Sequence, residues 1–204
     1  MMDFSLLHGF KQNFFYGVKG MSYFSAVTSL DWDVCLEAMY SAVTPPVKKS
    51  TLYQEAPKLP WKNKEWNLFH IFKKNMRKKK KISTLQKYNI HYSSYRGWLG
   101  TIHQYCAMQT AFYPHRLDSY VAVDFLFESE YHQQLKDILG MLPSTGIFFS
   151  VGTHLLARLF YLNKKEKDEL DTFILQLKEK RYFTNMYDAI VFSPVRENDD
   201  LIII

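Results

Sequence analysis

The chain has 204 residues, 47% hydrophobic and 17% aromatic, enough to bury one sizeable core or one core plus a small appendage. Its two cysteines, Cys35 and Cys106, stand far apart, which excludes a disulfide framework or a paired metal-ligand spacing and points to a reducing, intracellular compartment. The formal net charge is +6, but residues 62–81 hold nine Lys or Arg against one acid, Glu65, so that segment carries +8 and the remainder −2.

Residues 1–25 are aromatic and turn at the glycines of HGF and YGVKG, reading as an irregular extension laid on the body. Asp3 and Lys11 interrupt the place where a secretory leader would have an unbroken apolar stretch, so the chain is expected to begin as it stands. Residues 28–43, TSLDWDVCLEAMYSAV, set Trp32, Cys35, Leu36, Met39, Tyr40 and Val43 at helical spacing. Thr28 or Ser29 is the expected cap, and Thr44-Pro45-Pro46 the stop. Four of the seven prolines then fall within residues 44–64, which read as a long connection.

Residues 65–81 form the expected basic arm, an amphipathic helix with Leu68, Phe69, Phe72 and Met76 on one face and lysines on its flank and end. The period then changes. KYNIHYSSY, TIHQYCAMQTAFY and SYVAVDFLF read as three antiparallel strands, with RGWLG a hairpin turn that exposes Trp98 or inserts it into a neighbour. Residues 131–143 predict a helix with Leu135, Ile138 and Leu139 inward, and GIFFSVG a strand. THLLARLFYLN is expected to be a helix, as is residues 164–180, where Leu170, Phe173, Ile174 and Leu177 share one face; MYDAIVFSP closes the sheet. The apolar stretch 146–162 contains His154 and Arg158, which argues against a spanning helix. The tail RENDDLIII is expected to dock on the body or on a partner.

The expected class is α+β: a mostly antiparallel sheet from about residues 88–127, 146–151 and 188–193, covered by helices. Residues 1–64 form extension, helix and connection, 65–81 the arm, and 82–204 the α+β body.

The run KKNMRKKKK at 73–81 carries seven positive charges in nine positions. A charge run of this kind is read as a solvated helix face, as a phosphate-binding surface, or as an import signal or anionic-membrane contact. The phosphate reading assigns Lys73, Lys74, Arg77, Lys78, Lys79, Lys80 and Lys81 to nucleic-acid phosphates, with Trp61 and Trp66 anchoring the arm. Lys outnumbers Arg by 20 to 6, which suits neutralising phosphates better than reading bases.

Catalytic patterns are weaker. The seven histidines include no metal-binding helical pair, and His103 and Cys106, three apart on an expected strand, would face opposite ways. Asp118 and Asp124 have the even spacing that puts two carboxylates on one face, the basis of an alternative reading as a metal-dependent nuclease. GVKG and GWLG are isolated glycine pairs without a phosphate-loop pattern. No catalytic residue, metal or cofactor is assigned. The expected function is that of a non-enzymatic structural component of a large nucleoprotein assembly, an organellar ribosomal-type protein of the mitochondrial matrix. RNA is the favoured nucleic acid, and neighbouring proteins of the assembly complete its partners. The alternative is a viral matrix or capsid-associated protein, in the host cell and virion, that self-assembles and contacts membrane or genome.

Overall fold

A computed structural model describes residues 13–18, 23–46, 48–52, 58–72 and 81–191, with the backbone alone for 13–18 and 81. The chain order is β1 Asn13–Val18, β2 Tyr23–Phe24, α1 Trp32–Ala42, α2 Asn63–Phe72, α3 Lys81–Lys87, α4 Tyr92–Tyr105, β3 Cys106–Ala111, β4 Val121–Glu128, α5 His132–Leu139, β5 Ile147–Val151, β6 His154–Tyr161, α6 Lys164–Glu179 and β7 Asn185–Val191. A short 3-10 turn, Leu117–Ser119, precedes β4.

Alternation organises the body. Val123, Phe125 and Phe127 of β4 and Leu155, Ala157 and Leu159 of β6 project to one face, and the two strands pair antiparallel with Phe125 opposite Ala157. The sheet order is β2-β5-β6-β4-β7, every pair antiparallel. Helices α1, α5 and α6 cover that face with Met39, Leu135, Leu139, Leu170, Phe173 and Leu177, all fully buried. The α+β class holds, with an antiparallel sheet and helices on one face.

Two elements differ from the periodicity reading. Residues 92–105 form α4 rather than a strand and a hairpin turn, because Tyr95, Trp98 and Ile102 recur at helical spacing and sink into a shared core. Trp98 is 4% exposed, and Gly97 and Gly100 lie on the open helix face, where an added Cβ would meet nothing within 4 Å. Residues 154–161 form β6 rather than a helix. Its two faces are both partly covered, so apolar residues fall on consecutive positions and mask the period of two. Gly152, at φ +59°, makes the two-residue turn that pairs Val151 with His154.

Smaller differences have local causes. The cap of α1 is Asp31, whose carboxylate accepts from the Val34 N–H at 3.0 Å, in place of Thr28 or Ser29. The N-terminal extension is regular at residues 13–18, which pair with β3, and at 23–24, which pair with β5. His103 lies on α4 and Cys106 opens β3, so the expected strand carrying both does not form. Cys35 and Cys106 are both free and buried. The tail 192–204 and residues 1–12 lie outside the described residues. Among the described residues no helix is long and apolar enough to cross a membrane.

The second sheet face carries an ion pair. Asp124 and Arg158 face each other in register, and the guanidinium donates two 2.7 Å bonds to the carboxylate. Beside them Tyr113 stacks edge-on against Phe160 at 4.9 Å, and Tyr120 lies 6.4 Å from the same ring. Part of the Tyr113 ring stays exposed, yet desolvation pushes its phenol well above the ordinary 10.0, with Arg158 pulling the other way. A raised folded-state value means the stabilising contribution is complete below pH 10 and lost as pH rises past that range.

Two outcomes are expected. Gly97→Ala should stabilise the protein by roughly 0.5–1 kcal/mol in urea titration, as in an exposed helix interior, whereas a hairpin turn there would make it destabilising. Tyr113→Phe should lose stability more slowly than wild type above pH 10, by up to about 1.4 kcal/mol per pH unit, measured by alkaline denaturation.

Candidate nucleic-acid interface

Helices α2, α3 and α4 enclose a second core, separate from the one beneath the sheet. Leu68, Phe69 and Phe72 of α2, Leu85 of α3 and Tyr95, Trp98 and Ile102 of α4 are buried together. The helical period of α2 directs its three large residues to one side, and its N-terminus is fastened by its own acid: Glu65 accepts from the Lys62 backbone N–H at 2.9 Å. Lys64 donates to the Ser94 hydroxyl at 2.7 Å and ties α2 to α4.

Trp61 and Trp66, expected to anchor the basic arm, sit half-buried at the edge of this core. Their rings are 5.1 Å apart and edge-on; Trp61 also lies 5.5 Å from Phe69 and 6.3 Å from Trp98 and Tyr105. Trp66 stacks on His70 at 6.1 Å. Both rings are engaged within the protein, so they hold α2 in place. The indole N–H groups of Trp61 and Trp98 are buried with no acceptor among the described residues.

Lys73, Lys74, Arg77, Lys78, Lys79 and Lys80, and Met76 with them, lie outside the described residues. Lys81 opens α3 as described backbone. The described residues resume on either side of that stretch at buried Phe72, which ends α2, and at Lys81, which opens α3.

The charge follows the second core more broadly than the run alone suggests. Residues 58–105 contain twelve Lys or Arg and one acid, a net of +11, which leaves fourteen bases and nineteen acids elsewhere, a net of −5. Within the unit, Lys58, Lys62, Lys64, Lys87 and Arg96 are exposed, and Glu65 serves as a helix cap. Among the described residues no Lys or Arg of 58–105 forms an ion pair; Lys49, Lys165, Lys167, Arg116 and Arg158 pair with carboxylates outside it. Periodicity missed Lys87 and Arg96 as members of this surface because KYNIHYSSY, residues 87–95, read as a strand and RGWLG, from Arg96, as a hairpin turn. The spacing of Tyr95, Trp98, Leu99 and Ile102 was the signal that could have placed them on a helix.

The other polar groupings are committed to structure. Asp118 pairs with Arg116 in the 3-10 turn and Asp124 with Arg158 on the sheet, so each carboxylate has its own arginine. No cluster of three potential metal ligands occurs among the described residues. His132, fully buried, lies 2.8 Å from the Ser150 hydroxyl through Nδ1, which also accepts from the Leu52 N–H at 3.4 Å. That assignment leaves Nε2 protonated and donating to the Thr153 carbonyl at 3.3 Å, so the ring brackets α5, β5 and residues 50–52. A cavity of about 310 Å³ lies where α1 and α6 begin. Its acids are spent: Asp31 caps α1, Asp33 pairs with Lys165, and Glu166 accepts from the Leu162 N–H and the Asn163 amide.

No family model, curated protein or solved structure matches the chain.

Trp98→Ala should destabilise the α2–α4 unit by about 3–5 kcal/mol, while Trp98→Phe, which also removes an unpaired buried N–H, should cost far less; chemical denaturation followed by Trp fluorescence and circular dichroism measures both.

Proposed function

We propose that the chain is a non-enzymatic structural component of a nucleoprotein assembly and binds nucleic-acid phosphate through the cationic α2–α4 unit, with RNA the favoured polyanion. The observation that carries this is the coincidence of a charge boundary with a packing boundary. The segment 58–105, which spans the helices that share the aromatic core, carries a net +11 by sequence, and the rest of the chain is net acidic. A merely solvated helix face would be expected to intersperse acids with its bases, as α6 does with Lys167 and Asp171. Here twelve bases have a single acid among them, and that acid caps a helix.

The unit neutralises charge more than it reads sequence. Ten of its twelve bases are Lys, point charges on flexible stems, and each one brought to a phosphate releases a condensed counterion. The acidic body repels the same polyanion and so orients the molecule with its basic side inward. The ribosomal-type particle expected from the sequence remains the first form of assembly to test, in which the chain would be present once per particle.

Binding to RNA and to DNA across a salt series tests the reading. Wild type should lose affinity steeply with salt, and K78Q/K79Q/K80Q/K81Q should flatten the log–log slope by about 3 for a single strand. A slope equal in the two proteins, or no binding by wild type, would sink it.

A further inference from the structure

The corner between α3 and α4 displays two tyrosine rings on a fixed turn. Lys87 ends α3 and Tyr92 begins α4. Three backbone bonds hold the reversal between them: Tyr88 N–H to Thr84 O at 3.2 Å, Asn89 N–H to Gln86 O at 3.0 Å, and Ile90 N–H to Leu85 O at 2.8 Å. Asn89 takes the left-handed conformation, φ +50°, that this return requires. Ile90 packs against the second core, which leaves Tyr88 and Tyr92 on either side of it, 52% and 59% exposed.

The rings lie in a stretch without acids, since residues 66–117 contain no Asp or Glu. The Lys87 ammonium is 5.7 Å from the Tyr88 ring centroid. Tyr92 rests 6.2 Å from buried Tyr95, which sets the angle of its ring. His91 makes no side-chain cap bond to α4 and is exposed, and exposed Arg96 lies one helical turn beyond Tyr92. Scattered single aromatics on a surface need no explanation, but two exposed rings at a hydrogen-bonded corner within the +11 stretch match one kind of ligand.

We infer that this corner is a stacking platform for single-stranded nucleic acid: Tyr88 and Tyr92 take the faces of unpaired bases, and Lys87 and Arg96 take the flanking phosphates. The inference rests on the phosphate-binding reading and adds the strandedness of the ligand. Every base offers a π face, so such a platform tolerates sequence, whereas the bases of a duplex are already stacked and cannot use it. Helix α3 rises about 9 Å between Lys81 and Lys87, the span of about three stacked nucleotides, so one short strand reaches from Lys81 to the corner.

The test uses the full chain and three probes, a 12-mer of uridine, the matching thymidine 12-mer and a duplex of equal length, read by fluorescence anisotropy. Y88A/Y92A should weaken both single strands at least roughly tenfold with no change in the salt slope, because stacking releases no counterion. Y88F/Y92F should keep wild-type affinity, which separates the loss of a ring from the loss of a fold. Duplex binding should not respond to either change. Single-strand affinity within about twofold of wild type in Y88A/Y92A would overturn the platform and leave phosphate binding standing, as would an equal loss on the duplex. Binding by wild type to phosphatidylserine vesicles and to none of the nucleic acids would overturn both.

Discussion

Like charges close together repel, and residues 58–105 hold twelve Lys or Arg in the stretch that contains α2, α3 and α4. What opposes the repulsion is apolar: Phe69, Phe72, Tyr95 and Trp98 meet in a core that salt does not screen and that no ion pair of the described residues reinforces. Two buried indole N–H groups with no acceptor among the described residues show how far the packing is aromatic rather than polar. Such a unit is under electrostatic strain when alone, and a polyanion that binds the folded form relieves it. Stability and binding are therefore linked through the same charges.

The sheet body supplies the fixed frame. β3 follows α4 without a break and carries the chain from the cationic helices to the body. Its end is clamped there, where the Phe112 N–H meets the Thr145 hydroxyl and the Thr145 N–H returns to the Phe112 carbonyl. On the far side of the sheet, Asp124 and Arg158 satisfy each other in a strand pair whose neighbours are Tyr113 and Phe160, which gives a half-covered face a bidentate polar contact of fixed geometry.

Much of this was legible in local pattern. Helices α1, α5 and α6 and strand β4 each bury one face against a single layer, so their apolar residues keep a clean period and the reading of Leu170, Phe173, Ile174 and Leu177 carries through to the core. Where burial comes from two sides, the period blurs. β6 packs Leu155, Ala157 and Leu159 on the helices and sets Leu156, Arg158 and Phe160 on the other face, and the resulting run imitates a helix. α4 fails in the opposite sense: tyrosines, serines and two glycines depress its helical character locally, and only packing against α2 and α3 decides it.

The sequence by itself determined the chain's charge imbalance, its α+β class, and the presence of a basic run beside Trp61 and Trp66, because composition and one-sided periodicity survive without any knowledge of contacts. Only the tertiary structure decided that Tyr95, Trp98 and Ile102 join Phe69 and Phe72 in a core of their own, that Trp61 and Trp66 serve that core, and that Tyr88, Tyr92, Lys87 and Arg96 come to share its surface. The physical reason is that a residue's exposure depends on what lies across from it. Neighbours brought together from distant positions in the chain leave no trace in the period of either segment.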